Sequence, residues 1–286
     1  MAVRFADEWG LVTGASSGIG REFARQLAAR GMHLVLTARR RDLLEELSRE
    51  LDTRHGTKTV IIAGDLGDAT FPQQLFDKVQ AEGLRIQLLV NNAGIGHVGT
   101  IQDADIARMV TIVQLNIKAL TELTYLFLPD MLKRKEGAIV NLASVAAFQP
   151  VAYMPVYAAS KAFSLHFSEA LWAETRDQGV TVMALCPGTT QTEFFERAGV
   201  GGWLKKHRSQ TAEQVVKAAL RGLRKNRQYY VSGWMNYLLA LAVRLAPRRL
   251  VVIESMKYFR PTTPSHSNGR AQSTQPAGGQ DGAKPA

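Results

Sequence analysis

The stretch Thr13-Gly14-Ala15-Ser16-Ser17-Gly18-Ile19-Gly20 decides the fold, because it sets three glycines between an apolar run and a segment with helical spacing. Glycine allows a backbone to turn tightly and to approach a ligand closely. A helix that follows such a turn presents unpaired N–H groups and the positive end of its dipole. The stretch therefore predicts a strand, a turn suited to a pyrophosphate, and a helix that begins near Ile19. Alone it is weak evidence, since glycine is common in any strand-to-helix turn.

Working outward, short apolar or β-branched runs alternate with segments of helical spacing along the whole chain. The predicted strands are Gly10–Thr13, His33–Thr37, Thr59–Ala63, Gln87–Asn91, Ala138–Leu142, Val180–Leu185 and Tyr229–Ser232. Most are apolar throughout, which is typical of strands covered by helices on both faces. The alternation predicts an α/β fold, a single doubly wound Rossmann domain with a parallel sheet of about seven strands. Ligand-binding loops are expected to follow the strands at Gly14, Arg39, Asp65, Asn92, Ser144 and Pro187.

Charge is divided unevenly along the 286 residues. Residues 1–202 carry 20 Lys and Arg against 22 Asp and Glu, whereas residues 203–286 carry 15 against 3, a net of +12. Because the first part is near neutral and holds no nucleic-acid-binding motif, we expect no nucleic-acid partner. We divide the chain into a Rossmann domain at 1–232 with a substrate lid around 190–210, a basic amphipathic segment at 233–260 and a disordered tail at 261–286, whose composition cannot form a core.

The cysteine and histidine content argues against disulfide bonds and metal sites. Cys186 is the one cysteine, which excludes an internal disulfide and favours a reducing, intracellular setting. No base is arranged for it, so we interpret it as a small buried side chain. His33, His97 and His166 lack ligand spacing, and we predict no catalytic metal.

Arginines at the end of the second predicted strand bear on cofactor choice. An enzyme that prefers NAD usually has an acidic side chain here for the ribose 2′-hydroxyl, whereas arginine accommodates a 2′-phosphate. The sequence Leu36-Thr37-Ala38-Arg39-Arg40-Arg41 lacks the acid. Because guanidinium binds phosphate bidentately, Arg39 with support from Arg40 favours NADP(H) over NAD(H). The alternative is that the three arginines simply begin a solvated helix.

A candidate reactive group consists of Asn116, Ser144, Tyr157 and Lys161. Tyr157 and Lys161 are four residues apart in a predicted helix, so both side chains emerge on one face. A phenol with an ordinary pKa of about 10 is a poor base at neutral pH, and a neighbouring ammonium favours its phenolate. Each residue alone has a structural explanation: a chance pair on a helix, a helix cap after a strand, or a solvent-facing asparagine.

Taken together, the T-G-x-x-x-G-x-G turn, Asn91-Asn92-Ala93-Gly94 and the Y-x-x-x-K pair resemble the short-chain dehydrogenase/reductase family. The resemblance runs from about Gly10 to about Thr192. It implies that Tyr157 is the acid/base, that Ser144 orients the substrate oxygen, that Lys161 also holds the nicotinamide ribose, and that Asn116 holds a water in a proton relay. The cofactor site it implies consists of Gly14, Ser16, Ser17, Gly18, Ile19, Gly20, Arg39, Arg40, Asp65, Leu66, Asn92, Ala93, Gly94, Tyr157, Lys161, Pro187, Gly188, Thr189 and Thr192.

The function that follows is NADP(H)-dependent, reversible reduction of a carbonyl to an alcohol by hydride transfer. One alternative within enzymology is a 3-oxoacyl reductase of fatty-chain metabolism. An alternative from another class is a non-catalytic NADP-binding regulatory or scaffold protein. The resemblance also implies a homodimer or homotetramer, because relatives commonly assemble in this way.

Apolar residues beyond the resemblance point to a hydrophobic substrate of the steroid, retinoid or fatty-acyl type. One expected wall is the lid, with Phe194, Phe195, Val200 and Trp203. The facing wall is expected from Val145, Phe148, Val151, Tyr153 and Met154. The alternative is that these residues form core or a subunit interface.

The segment 234–258 joins an apolar run of about ten residues to Arg244, Arg248 and Arg249. A bilayer span needs about 20 apolar residues, so we do not expect this segment to cross a membrane. Aromatic and leucine residues beside arginines suit a position in the membrane interface. The alternative is that the segment packs on its own domain or on a partner subunit. We therefore expect a cytoplasmic protein with peripheral membrane contact through 234–258.

Overall fold

The computed structural model describes residues 4–260 apart from 201, 203 and 205–207. Its centre is one seven-stranded sheet, ordered β3-β2-β1-β4-β5-β6-β7, in which every neighbouring pair is parallel. The strands are β1 (Trp9–Thr13), β2 (His33–Thr37), β3 (Thr59–Ile61), β4 (Ile86–Asn91), β5 (Gly137–Leu142), β6 (Val180–Cys186) and β7 (Tyr229–Val231). The predicted doubly wound Rossmann fold is confirmed, and so is the predicted number of strands.

Strand ends differ from the predicted ones by at most two residues. The largest difference is at β3, which ends at Ile61 rather than at Ala63. Beyond Ile61 the chain still runs beside β2, because Ile62 N–H donates to the Leu36 carbonyl oxygen at 3.1 Å. The backbone of Gly64 then lies against the ring of Phe71, where a Cβ would stand only 2.0 Å from a ring carbon. The regular strand is therefore shorter than the apolar run.

Helices follow the strands on both faces of the sheet. The helices are α1 (Gly18–Ala28), α2 (Arg41–His55), α3 (Phe71–Ala81), α4 (Ile106–Val113), α5 (Leu120–Arg134), α6 (Pro155–Thr175), α7 (Phe194–Arg197), α8 (Ala212–Arg224), α9 (Trp234–Leu245) and α10 (Arg248–Phe259). A π-helical segment, Gln114–Ala119, joins α4 to α5, and a 3₁₀ turn, Val145–Phe148, follows β5.

Two apolar cores form because successive strand residues point to opposite faces of the sheet. On one face Val12 packs with Leu27 of α1, Leu47 of α2 and Leu223 of α8. On the other face the preceding residue, Leu11, belongs to a cluster built by α3, α5 and α6. Strands covered in this way have no polar face, which explains why their sequences are apolar rather than alternating.

The order of strands fixes where a ligand can bind. The sheet grows outward from β1 in one direction through β2 and β3, and from β4 in the other through β5 to β7. The connections leaving β1 and β4 therefore diverge and open a crevice beyond their carboxyl ends. The glycine-rich turn and the segment Asn92–Gly94 both begin at this crevice.

The C-terminal helices α9 and α10 are attached to the sheet domain with few buried residues. Ala240 of α9 and Val251 and Ser255 of α10 are buried. Large apolar side chains are exposed on both helices, namely Trp234, Met235, Tyr237, Leu238, Leu239, Leu241, Leu245, Leu250, Val252, Ile253, Met256 and Tyr258. Neither these helices nor any other within the described residues combines the length and the apolar character that crossing a membrane requires.

Candidate active site

The glycine-rich turn has the backbone conformation that its glycines permit. Gly14 and Gly18 have φ angles of +66° and +56°, a region that other residues adopt only with strain. A Cβ on Gly20 would stand 2.4 Å from the Gly14 carbonyl oxygen, so this glycine lets α1 pack against the turn. Ser17, the N-cap of α1, makes no side-chain capping bond. The first N–H groups of α1 are therefore left for an anion.

The hydroxyl of Thr13 ties this turn to the loop after β4. Thr13 Oγ1 accepts hydrogen bonds from the backbone N–H groups of Asn92 and Ala93, each at 2.9 Å. The side-chain amide of Asn92 donates to the Thr13 carbonyl oxygen at 2.8 Å. Because Thr13 is buried, these bonds hold the two loops of the crevice at a fixed separation.

Arg39 and Arg40 lie at the carboxyl end of β2 and both line the cleft. Arg39 Nη1 is 3.8 Å from Asp65 Oδ2, and Arg40 Nη2 is 3.3 Å from Ser16 Oγ. Arg40 also pairs with Glu193 at 3.2 Å. Arg41 instead begins α2 and pairs with Glu45 on the helix surface at 3.6 Å, so the solvated-helix interpretation holds for Arg41 alone.

Ser144 and Tyr157 meet on the far side of the cleft. Ser144 lies two residues after the end of β5 and caps the 3₁₀ turn, because its Oγ accepts from Ala146 N–H at 3.1 Å. Tyr157 lies in the first turn of α6, and its ring contacts Phe194 at a centroid distance of 5.3 Å. Burial raises the pKa of Tyr157 to about 12, while its hydrogen bond with Ser144 acts in the opposite direction. The phenol is therefore protonated at neutral pH.

Lys161 is almost fully buried one turn further along α6. Its ammonium donates to the Leu142 carbonyl oxygen at 2.7 Å and stands 5.7 Å from the centroid of the Tyr157 ring. Burial lowers the pKa of Lys161 to about 8. Burial thus acts against the charged form of both groups, and the expectation that this ammonium favours the Tyr157 phenolate stays a prediction.

Asn116 does not line the cleft but lies directly behind it, in the π-helical segment. Its amide binds the backbone of Ile95 at both ends, accepting from N–H and donating to the carbonyl oxygen at 3.0 Å each. The same Nδ2 donates to Ser160 Oγ at 3.0 Å, and Ser160 Oγ donates to the Tyr157 carbonyl oxygen at 2.7 Å. The wider turn directs Asn116 at both the β4 loop and α6.

The loop after β6 closes one side of the cleft. The Pro187 carbonyl oxygen accepts from Val145 N–H at 3.0 Å, which joins this loop to the turn that carries Ser144. Thr192 lies opposite the glycine-rich turn, since a Cβ on Gly18 would stand 2.9 Å from its methyl carbon. Only a glycine at position 18 leaves this approach open.

The predicted residues come together with two exceptions, Gly20 and Asn116, which lie behind the surface. The predicted residues that line one cleft are Gly14, Ser16, Ser17, Gly18, Ile19, Arg39, Arg40, Asp65, Leu66, Asn92, Ala93, Gly94, Ser144, Tyr157, Lys161, Pro187, Gly188, Thr189 and Thr192. The donor set suits a dinucleotide phosphate: a helix N-terminus without a capping side chain at one end, and two arginines beyond β2.

Comparison with known proteins gives the family. A family model described as "short chain dehydrogenase" matches residues 8–200. This chain belongs to the short-chain dehydrogenase family. Very-long-chain 3-oxoacyl-CoA reductase of Anas platyrhynchos is 36% identical over 192 residues, which cover 65% of this chain and 61% of that protein. Sulfoacetaldehyde reductase 2 of Chromohalobacter salexigens is 40% identical over 186 residues, covering 64% of this chain and 73% of that protein.

A solved structure agrees with this assignment. The short-chain dehydrogenase from Sphingobium yanoikuyae in complex with NADPH has a TM-score of 0.77 and 30% identity, covering 91% of this chain and 99% of that one. The matched region spans about 61% of the length of several reductases that the chain resembles in sequence.

In this short-chain dehydrogenase the apolar walls of the cleft differ from those predicted. Phe194, Phe195, Val145 and Met154 line it, as expected. Phe148, Val151, Tyr153 and Val200 are absent from the described lining, so their part in a substrate wall stays a prediction. Phe148 packs instead against Tyr229, at a centroid distance of 5.8 Å, and beneath the Arg244 guanidinium. Trp203 and the tail 261–286 lie outside the described residues.

Sequence reasoning missed two parts of the lining. One part is the ion pair of Glu193 with Arg197, which lies beside Arg40. The sequence feature that could have indicated it is an acidic residue directly after Thr192. Phe259, the last residue of α10, reaches the cleft from a part of the chain that was assigned to a membrane or packing segment. No motif marks Phe259, because its position depends on how α10 docks.

Proposed function

We propose that this protein is an NADP(H)-dependent reductase that converts a carbonyl on a hydrophobic substrate to an alcohol. The observation that carries the proposal is the meeting of Ser144, Tyr157 and Lys161 in one cleft with the glycine-rich turn. When bound, the nicotinamide would supply the hydride. A protein that only bound nucleotide would have no use for a buried tyrosine and lysine one helical turn apart, which argues against the scaffold alternative.

The protonated form of Tyr157 is the form that reduction of a carbonyl requires. A carbonyl that accepts hydride needs a proton on its oxygen, and Tyr157 carries that proton at neutral pH because its pKa is about 12. Ser144 would orient the oxygen beside the phenol. Lys161 would hold the ribose and return a proton to Tyr157, while Asn116, bound to Ile95 and Ser160, would fix the backbone around them and hold the relay water.

The cofactor preference for NADP(H) over NAD(H) rests on Arg39 and Arg40. Both guanidinium groups are at the cleft, and the nearest carboxylate of Asp65 is 3.8 Å from Arg39 and therefore not tightly bound to it. Arginine forks match phosphate geometry, and no acid directly follows β2. A 2′-phosphate would lie against these partly exposed side chains.

Among substrates, a 3-oxoacyl thioester is favoured over a steroid or a retinoid. Relatives at about 35% identity are called very-long-chain 3-oxoacyl-CoA reductases, although the matched region covers only 61% of their length. The cleft beyond Tyr157 is walled by Met154, Phe194 and Phe195, which suits an apolar chain.

Two exposed apolar surfaces support further contacts. The surface of α9 and α10 would lie on an anionic membrane, because twelve exposed apolar side chains stand beside the exposed cations Arg248 and Arg249.

A second surface includes Val110, Tyr125 and Phe163 and would join two copies of the chain. Light scattering on the purified protein tests the predicted dimer or tetramer.

A substrate screen tests the proposed reaction. Purified full-length protein is mixed with NADPH or NADH and with 3-oxoacyl thioesters, steroid ketones, retinal and short ketones, and nicotinamide absorbance is followed. We expect faster oxidation of NADPH than of NADH, with 3-oxoacyl thioesters as the best substrates. Tight NADPH binding without turnover of any carbonyl would support the scaffold alternative instead.

A further inference from the structure

Phe259 connects the C-terminal helices to the reactive cleft. It is the last residue of α10, and it lines the same cleft as Tyr157 and Met154. Its ring packs against a small buried cluster of Val151, Met154 and Ala158. This cluster lies in the segment that leads into α6 and in the first turn of α6 itself, so Phe259 contacts the part of the helix that carries the reactive phenol.

The inner side of α10 is fixed to the sheet domain by a buried polar contact. Ser255 Oγ accepts a hydrogen bond from Ala152 N–H at 3.1 Å and donates to the Val252 carbonyl oxygen at 2.8 Å. Ser255 is buried, as is Val251 one turn before it. Because Phe259 follows Ser255 by four residues, it lies on the same side of α10 and is directed toward the cleft.

The outer side of α10 is apolar and exposed. Val252, Ile253 and Met256 are exposed there, and Tyr258 packs edge-on against Phe259 at a centroid distance of 4.9 Å while half of its surface is exposed. Phe259 therefore stands between the reactive cleft and the exposed apolar surface of α10.

We propose that Phe259 is the residue that selects substrates by the length of their apolar chain. The proposal rests on the carbonyl reductase function above and names the wall that a long chain meets. Short chains fit between Met154, Phe194 and Phe259. Longer chains must move the Phe259 ring and continue along α10 toward its exposed apolar face, where Tyr258 and Met256 receive them.

The size of the Phe259 side chain then sets the preference. Each methylene group of substrate that leaves water is worth roughly 0.8 kcal/mol, but only where the wall leaves room for it. An aromatic ring placed against the chain excludes several methylene groups at once. A smaller side chain opens this space and a larger one closes it, whereas neither change touches the groups that transfer the proton.

The test is a chain-length profile of kcat/KM with NADPH and 3-oxoacyl thioesters that range from short to very long chains, all kept below their micelle concentrations. For Phe259→Ala, the ratio of long-chain to short-chain kcat/KM should rise at least about tenfold, the lower range for a change of one methylene group in an apolar pocket. For Phe259→Trp the same ratio should fall. Opposite shifts cannot arise from general destabilisation, which would lower both values together.

Lys257→Ala is the matched control, because Lys257 lies two residues away and makes only an exposed ion pair with Glu254. It should keep the parent profile. If the parent reduces these substrates but both Phe259 variants keep its profile, the proposal is overturned and the reductase function stands. If the parent reduces no carbonyl at all, the proposed function fails with it.

Discussion

The sheet domain, residues 9–231, and the C-terminal helices α9 and α10 use apolar residues in opposite ways. In the sheet domain both faces of every central strand are covered, and Leu11 and Val12 are completely buried on opposite sides. In α9 and α10 large apolar side chains outnumber the buried positions, and Trp234 and Leu245 are 72% and 83% exposed. Similar local hydrophobicity therefore gives a core in one region and a contact surface in the other, depending on what covers it.

The reactive groups make the same contrast. The sheet domain encloses Lys161 and the Tyr157 ring. Burial lowers the pKa of Lys161 and raises the pKa of Tyr157, so it disfavours the charged form of each group. On α9 and α10 the arginines remain exposed, and the guanidinium of Arg244 also lies over Phe148. We therefore propose that the covered region carries the chemistry and that the uncovered one carries the membrane contact. Four variants separate these two proposals.

The largest effect is expected in the sheet domain from Tyr157→Phe. This change removes only the oxygen that carries the proton, so turnover should fall by roughly 10² to 10⁴ while NADPH binding stays nearly unchanged. Tyr153→Phe is the control, because Tyr153 is nearby but absent from the described lining of the cleft. Turnover by the Tyr157 variant close to that of the parent would remove the basis of the mechanism.

Arg39→Asp should change the cofactor preference. Hydrogen bonds to charged groups contribute roughly 1.5–3 kcal/mol, so the affinity ratio of NADPH to NADH should drop at least about tenfold. Isothermal titration with each cofactor measures both affinities. Arg41→Asp makes the same charge change two residues away on the surface of α2 and should leave the ratio intact. Equal losses in both variants would indicate general electrostatics rather than a phosphate site.

On the C-terminal helices, the combined change Leu238→Glu and Leu245→Glu should lower partition onto anionic vesicles at least about tenfold, since each exposed leucine contributes roughly 1.5–3 kcal/mol when buried. Sedimentation with phosphatidylserine-containing vesicles measures this, and Ile101→Glu should not matter, since Ile101 lies elsewhere and is about as exposed as Leu245. Reduction of a short, soluble substrate should be unaffected. Salt should weaken the attachment only partly, because screening acts on the arginines and not on the apolar contact.

A parent protein that fails to sediment at low salt would exclude the membrane proposal. Point substitutions are preferable to truncation after Ser232. Truncation also removes Asn236, whose amide donates to Gln210 Oε1 at 3.2 Å, and it removes Phe259 from the cleft. Loss of binding in a truncated chain would therefore mix attachment with damage to the site.

A gain in stability is expected from Lys161→Met in protein without cofactor. Lowering the pKa of Lys161 from 10.5 to about 8 corresponds to about 3 kcal/mol against the charged form, from which about 1 kcal/mol is subtracted for the lost bond to Leu142. We expect about 2 kcal/mol of added stability at pH 7, measured by urea unfolding. Turnover should nevertheless be lost.

The pH dependence has a definite sign. Between pH 8 and 10.5 the unfolded chain holds a proton that folded Lys161 has released, so parent stability should rise with pH in this window. Between pH 10 and about 12 the folded state keeps the Tyr157 proton that the unfolded chain loses, so stability should then fall. The Lys161→Met variant should lack the rise and keep the fall. A variant that is less stable than the parent at pH 7 would contradict the buried-charge account.

What the sequence determined was local in origin. The glycine spacing after β1, the apolar strands and the Tyr157–Lys161 pair depend on backbone conformation and on periodicity, which neighbouring residues specify by themselves. These signals predicted the sheet and most of the residues that line the cleft. The position of the ligand-binding loops followed from the rule that parallel strands have their carboxyl ends at the same edge of the sheet.

The tertiary structure alone decided what depends on distant partners. The π-helical turn that directs Asn116 to Ile95 and Ser160, the pairing of Glu193 with Arg40, and the arrival of Phe259 from α10 each require segments far apart in the chain to pack together. The direction of the Tyr157 pKa shift belongs here too. Spacing placed an ammonium near the phenol, but only the folded environment determines how much water each group loses, and that desolvation is the largest cause of the shift.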